Sequence, residues 1–537
     1  MALYLGFDSS TQSLTATIIE AGDGRHRVVF EDSITFDTAF PQYGTHHGVV
    51  STDGRTVTAP PLMWAAALDA MMERIRSAGT NMAAIRAISG SGQQHGSVYL
   101  TAEAPRILAG LDPGRALATQ LTGLFSRDES PVWLDCSTGA ECAEIANAVG
   151  GDRALAALTG SRAYERFTGS QIRKFATRNP DAYARTARIH LVSSFMATLL
   201  CGADAPIEPG DGSGMNLMNL ARGEWDPSCL AATAPDLLRR LPPIRPSWTI
   251  AGTLSDYWQT RFGFGPARVV AWTGDNPSSL IGLGLVEEGQ LGISLGTSDT
   301  VFAPVSSPSP DPHGAGHVFG SPAGGFMTLT CFANGSLARE RVRDQYRLDW
   351  AGFSAALQAT PPGNDGALMV PWFVPEITPT IDRPGPHRQN LDPADAARNV
   401  RAAVEGQAMG MRIYSEWFAP RVTTIRVTGG AAANTPILQV IADVFGADVV
   451  RIAPPNAASL GAALRAYHAD RQTSDRPLSW PDVVSGFTEP IPDAGATHQP
   501  DAHRTYEALL PRFRDFLRTL SDQSKESKRT KTGEGAR

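Results

Sequence analysis

The chain has 537 residues, 42 % of them apolar and 19 % charged, and a formal net charge of −7. That length exceeds what one core organises, so two or three domains are expected, and the acidic balance argues against nucleic acid or an anionic membrane as partner. The five cysteines (Cys136, Cys142, Cys201, Cys229, Cys331) contain no C-x-x-C pair, which points away from a zinc site or a disulfide framework and toward free thiols in a reducing, cytoplasmic setting.

Residues 3–20, LYLGFDSSTQSLTATIIE, alternate apolar and polar on both sides of a tight polar turn and predict a hairpin. The turn offers Asp8, several hydroxyls, Gln12 and a run of backbone N–H groups. No basic stretch precedes an apolar core here, so no signal peptide is expected. No apolar run reaches the roughly 18 residues of a membrane span. Trp64, Leu68, Met71, Met72 and Ile75 have helical spacing. A short strand at 85–88 leads into the Gly-rich loop SGSGQQHGS, where Gly allows close backbone approach and Gln94 and His95 supply polar groups suited to a polyol. Ser130 with Pro131 predicts a helix start running to Val149. Loop GSRAYERF then carries Arg162, Glu165 and Arg166, readable as a surface ion pair or as a guanidinium aimed at a ligand. GDGSGMN, beginning at Gly210, reads as a loop or a cleft wall.

A strand at 268–271 ends in GDNPSS, with a helix expected from Ser278 and Asp275 near its N-terminus, where a carboxylate is favoured. As a sequence alone, Gly-Asp-Asn is equally a common turn. Residues 291–301, LGISLGTSDTV, repeat the plan of the first hairpin; Leu5 meets Leu291, Gly6 meets Gly292 and Thr11 meets Thr297 at one offset of 286 residues. Two turns rich in N–H groups and hydroxyls suggest paired anion cradles in a duplicated fold, although ordinary hairpins have the same look. Residues 304–325 and 373–398 read as long loops. Helix 402–417, strand 425–428, the turn GGAAAN and a helix from Pro436 form a strand–turn–helix arrangement used for nucleotides. Helices 457–468 and 505–520 follow, and 521–537 read as a disordered tail.

Lysine occurs four times, at Lys174 and at Lys525, Lys528 and Lys531, and never follows glycine. A P-loop or a protein-kinase strand lysine is therefore excluded. Any nucleoside triphosphate must be held by backbone N–H groups, hydroxyls and a metal ion.

The ordered set GFDSSTQ, SGSGQQHGS, GSRAYERFTG, DGSGMNL, GDNPSS, SLGTSDT and TGGAAAN resembles the FGGY carbohydrate kinases, and within them the animal-type xylulokinase branch, from about residue 3 to about residue 520. The resemblance implies an α/β, duplicated actin-like (ribonuclease-H-like) fold with two domains around a catalytic cleft. Residues 1–262 would form the N-terminal domain, with the sugar site and the first phosphate hairpin, and 263–520 the nucleotide-binding C-terminal domain. It implies ATP-dependent phosphorylation of D-xylulose, with Mg²⁺, by a monomer or homodimer. The alternatives are another ketose or polyol, such as L-ribulose or glycerol, and a non-catalytic actin-like sensor. By the same resemblance, Asp275 matches the catalytic base and Asp8 the carboxylate that places the metal. His95, Arg166, Asp275 and Asn276 match sugar contacts. Thr11, Gln12, Gly296, Thr297 and Ser298 match the phosphate turns, and Trp350, Gly430, Ala431 and Asn434 the nucleoside pocket. Ala432 stands where similar sequences often have Ser, which removes a hydroxyl expected near the nucleotide.

Overall fold

The computed structural model describes residues 2–22, 24–312, 314–452 and 456–534, with side chains through Ser524. The chain opens with β1 (Leu3–Ser9), β2 (Ser13–Gly22) and β3 (Arg25–Thr35), an antiparallel meander. After α1 (Pro61–Ser77), β4 (Ile85–Gly92) returns parallel to β1. Helix α2 (Val192–Cys201), β5 (Ile250–Thr253), β6 (Arg268–Val270) and β7 (Thr273–Gly274) complete a seven-stranded sheet of order β5-β6-β4-β1-β2-β3, with β7 also beside β4. Helix α3 (Asp275–Gly282) leads out of it.

The second sheet repeats the plan. Strands β8 (Gln290–Leu295), β9 (Asp299–Val305), β10 (His317–Gly320) and β11 (Phe326–Phe332) are antiparallel neighbours in the order β10-β11-β9-β8. Helices α4 (Ser336–Gln345), α5 (Trp350–Ala359) and α6 (Ala396–Ser415) precede β12 (Thr424–Thr428), which runs parallel to β8. Then come α7 (Thr435–Phe445), β13 (Asp448–Arg451), α8 (Ala457–Gln472), the edge strand β14 (Gly495–Ala496) and α9 (Pro500–Glu534). A three-strand meander followed by parallel strands thus occurs twice. It places both hairpin turns at the C-terminal ends of parallel strands, where α/β sheets bind ligands.

The apolar spacing read in α1 is its buried face: Trp64, Leu68, Met71, Met72 and Ile75 are fully enclosed, packing on Leu5 and Phe7 of β1 together with α2. The other face of β1, with Tyr4, is covered by α8, which arrives from the far end of the chain. Contact there is so close that a Cβ on Gly6 would lie 2.2 Å from Ala463 N and Ser459 O, so only glycine lets this strand meet this helix. A third core joins β8, β9 and β12 to α6, α7 and α9.

Several expectations are corrected. The boundary at 262/263 cuts the first sheet, because β6 and β7 follow it and pair with β4; α8, from the second half, covers that same sheet. Ser130–Pro131 is a short strand at the edge of a three-stranded sheet, and the helix begins only at Gly139. Proline at an edge forfeits no ladder bond. Strand β4 runs on to Gly92, α3 starts at Asp275 rather than Ser278, and the stretch read as one long loop at 304–325 contains β10. The last helix continues to Glu534 instead of stopping at Leu520. An established helix gains one bond per added residue, and Lys, Arg and Glu are good helix formers. Residues 535–537 lie outside the described residues. No helix among the described residues is long and apolar enough to cross a membrane.

Candidate active site

Asp8 closes β1. Its buried carboxylate accepts from Ser91 Oγ at 2.7 Å and from Ser10 Oγ. Burial pushes its pKa up, and the two hydroxyls pull it back. Thr11 Oγ1 accepts from Trp133 Nε1 at 2.7 Å, which leaves its own proton to donate; Gln12 is exposed, and its carbonyl accepts from Phe36 N. Register fixes the next carboxylate. Asp8 and Thr273 both lie opposite Ser91 of β4, on its two sides, roughly 10 Å apart from the strand spacing. Two residues beyond Thr273, Asp275 begins α3.

Asp275 is partly open to the cleft. Its Oδ1 accepts from Asn276 N at 2.8 Å and from Asn276 Nδ2 at 3.1 Å, and the Gln94 backbone N–H also reaches the carboxylate. Desolvation, then the neighbouring Asp8, push its pKa up to about 7. The ordinary value is 3.8; enclosure and a like charge raise it. Asn276 Nδ2 also donates to Gln94 Oε1 at 2.9 Å, and Gln94 Nε2 to Gly210 O at 3.3 Å. Asn276 lines a cavity of about 250 Å³ together with Ser294 and Thr428, so α3 faces the second hairpin.

His95 adjoins Gln94 with φ of 74°, a left-handed conformation rare for a residue with a Cβ. Its Nδ1 lies 2.8 Å from Gly214 O. A carbonyl only accepts, so Nδ1 carries the proton and Nε2 the lone pair. Burial, then the Arg166 charge, push its pKa down to about 3, which keeps the ring neutral. DGSGMN therefore forms a wall that orients His95. Arg166 does not pair with Glu165. Its Nη2 donates to His317 Nε2 at 2.8 Å, and its guanidinium stacks 4.6 Å from the Tyr164 ring. Arg162 reaches Thr380 Oγ1 instead, at 3.4 Å. His317 went unnoticed in the sequence because its segment read as irregular.

The second turn is braced from behind. Arg339 donates to Asp299 at 2.8 and 2.9 Å, both side chains being 1 % exposed, and also to Gln407 Oε1 and Ser336 Oγ. Ser336 N donates to Gly296 O at 2.8 Å. Beside this turn opens a cavity of about 900 Å³ whose walls bring together Gly296, Thr297, Trp350, Gly430, Ala431 and Asn434. Ser298 is not part of that wall. Asn434 caps α7, accepting from Ile437 N at 3.2 Å, and donates to Ser354 Oγ at 2.8 Å; the positive end of α7 thus faces the cavity. Gly429, at φ of 94°, is needed because its Cβ would lie 2.5 Å from Leu295 O. Ala432 is 2 % exposed within the apolar core, so the hydroxyl absent there does not line the cavity. Glu340, Ser336 and Ser354 do line it; no local pattern distinguishes them from ordinary helix residues.

Residues 129–282 match the family description "FGGY family of carbohydrate kinases, N-terminal domain", and residues 291–469 match the C-terminal domain of the same family. The chain is 44 % identical over 534 residues to a xylulose kinase from Rattus norvegicus, covering 97 % of each chain. This chain belongs to the FGGY family of carbohydrate kinases. It is also 43 % identical to xylulose kinase 2 from Arabidopsis thaliana over 87 % of each chain. A ligand-bound xylulose kinase from Lactobacillus acidophilus shares the fold at a TM-score of 0.81, with 16 % identity, over 98 % of this chain and 100 % of that one. The two-sheet architecture is accordingly the actin-like fold of these sugar kinases, and the protein is a carbohydrate kinase. Such a kinase brings a sugar hydroxyl to a nucleotide phosphate, with little covalent work for the protein beyond alignment and charge control.

Proposed function

We propose that this kinase transfers the γ-phosphoryl group of ATP to D-xylulose, giving D-xylulose 5-phosphate, in the cytoplasm. The relatives named xylulose kinase, similar over nearly the whole chain, support the choice of sugar. One observation carries the chemistry. Asp275, with its pKa near 7, is hydrogen-bonded to Asn276 and through it to Gln94, next to His95, and α3 faces the second phosphate turn. The five cysteines are all free, which fits a reducing compartment.

In this reading the ketose lies along these residues. His95 Nε2 accepts from one sugar hydroxyl and Arg166 donates to another, while Asn276, whose two N–H groups go to Gln94 and Asp275, accepts from a third through Oδ1. Asp275 takes the proton of the primary hydroxyl as the bond to phosphorus forms; a base with pKa near the working pH suits that step. The two turns hold phosphate oxygens through backbone N–H groups and the Thr11 and Thr297 hydroxyls. The nucleoside lies in the 900 Å³ cavity against Trp350, Gly430, Ala431 and Asn434. Arg339 takes no part, being committed to Asp299. Asp8 is the residue that would hold Mg²⁺ through water. A lone buried carboxylate fits an ion that keeps most of its waters and binds substrate phosphates, and no cluster of three His, Cys, Asp or Glu side chains exists among the described residues. When bound, the ion offsets the phosphate charge that no lysine meets.

The test is a panel of D-xylulose, L-ribulose, other pentuloses and glycerol with coupled ADP detection. D-xylulose should give the highest kcat/KM. A higher value for another acceptor overturns the choice of sugar, and ATP binding without acceptor-dependent ADP release overturns the kinase reading of the site.

A further inference from the structure

The loop that carries Arg166 is fastened to a strand of the other sheet. Gly160 O accepts from Val318 N at 3.0 Å, and Tyr164 OH donates to Gly314 O and Ala315 O at 3.3 Å. Gly160 sits so close that its Cβ would lie 2.2 Å from Val318 O. Farther along β10, Gly320 N donates to Ser213 Oγ at 3.0 Å. Within this seam His317 is 3 % exposed, with its ring 4.9 Å from Tyr164 and 5.5 Å from Phe319. A guanidinium only donates, so His317 Nε2 must be the acceptor in its 2.8 Å contact with Arg166 Nη2. Nδ1 then carries the proton and donates to Ser161 Oγ at 3.0 Å. Burial, then the charges of Arg166 and Arg162, oppose protonation of the ring, so the acceptor persists at physiological pH.

We propose that His317, on the edge strand of the second sheet, is the positioning residue that aims Arg166 at the sugar, so that the sugar site is completed by a group from the other half of the molecule. This rests on the sugar-kinase reading above. Arginine has a long, rotamer-rich side chain, and fixing it beforehand spares that ordering at binding. Two aromatic faces, Tyr164 at 4.6 Å and Phe167 at 5.5 Å, restrain the guanidinium plane; among the described residues, the hydrogen bond that sets its direction is the one to the imidazole. The partner is a neutral acceptor rather than a carboxylate, so the guanidinium keeps its charge and its remaining N–H groups for hydroxyls. Because β10 belongs to the second sheet, sugar affinity becomes sensitive to how closely the two halves approach.

The experiment compares full-length wild type, His317→Phe, His317→Gln and Arg166→Met, measuring KM for D-xylulose and for ATP separately. His317→Phe removes the acceptor and keeps the ring packing. It should raise the sugar KM on the order of tenfold or more, as loss of a hydrogen bond to a charged group does, with KM for ATP within about twofold. His317→Gln, whose Oε1 can accept, should restore most of the loss. In the Arg166→Met background, adding His317→Phe should change little, the mark of two residues acting as one. An unchanged sugar KM in His317→Phe, equal rises in both KM values, or a glutamine variant no better than phenylalanine overturns the proposal. Should His317→Phe fail to fold, Arg166→Met decides: a normal sugar KM there overturns it as well. Wild type that phosphorylates no ketose or polyol overturns the functional reading itself, a different result from an active enzyme indifferent to His317.

Discussion

Asp275 shows what a single residue gains from its surroundings. In water its carboxyl would titrate near 3.8; in the cleft it does so near 7. Between those values the native state holds a proton that the unfolded chain has released. Stability therefore falls as pH rises from about 4 to about 7, and the full penalty persists above the folded value. Asp275→Asn never ionises. Its unfolding free energy should match wild type near pH 4 and exceed it above pH 7 by on the order of 2–3 kcal/mol once screening at the cleft mouth is allowed for, with the thermal midpoint rising accordingly. The measurement is thermal unfolding of the metal-free protein at pH 4, 6 and 8; a constant offset would refute the shift. In the same variant kcat should drop by roughly 10²–10⁴, the usual worth of a general base. In wild type kcat/KM should rise with pH and level off above about 7. His95, pushed down to about 3, contributes no limb in that range.

At the scale of elements, the second hairpin depends on a helix. Arg339 of α4 and Asp299 of β9 form a two-bond pair, buried on both sides, and Gln407 of α6 ties the arginine to the carbonyls of Asn334 and Gly335. Arg339→Met leaves Asp299 buried and alone, which should cost about 3–5 kcal/mol in urea unfolding. Adding Asp299→Leu removes the stranded charge and should recover most of that stability. The turn would remain unbraced, so KM for ATP should stay raised in the stable double variant while KM for the sugar does not. Normal ATP kinetics in that double variant would reduce the pair to a purely structural role. The first turn has no such brace: Thr11 is held by an indole and Asp8 by two serines. Two hairpins alike in sequence are therefore supported by different neighbours.

At the scale of the molecule, α8 joins the halves. It comes from the second half, covers β1 of the first sheet, and crosses α3 so tightly that a Cβ on Gly461 would lie 1.9 Å from Ser278 O. Gly410, also inside a helix, has open space where its Cβ would stand. Ordinary helix physics favours alanine over glycine at both by about 0.5–1 kcal/mol. Gly410→Ala should follow that rule and stabilise. Gly461→Ala should reverse it, losing 1–3 kcal/mol or more through overpacking and lowering kcat, since α3 carries Asp275. Urea melts of the two variants check the contrast; equal effects would show that the crossing relaxes freely.

The sequence by itself determined what depends on neighbours along the chain. Both polar turns, the buried stripe of α1, the strand–turn–helix around GGAAAN, the want of a phosphate-binding lysine and seven ordered motifs all lie in short windows, and together they fix the family and the two-fold plan. It misjudged elements whose ends are set by distant contacts: the edge strand at Ser130–Pro131, the reach of β4, β10 within a Pro- and Gly-rich stretch, and a domain boundary drawn through a sheet. Only the tertiary structure decided which face α8 covers, that Arg166 meets His317 151 residues away, that Arg339 is spent on Asp299, and that the Asp275 carboxyl titrates near neutrality. Hydrophobic period and turn chemistry are local properties of a chain. Desolvation, ion pairing and the approach of one backbone to another exist only once remote segments have come together.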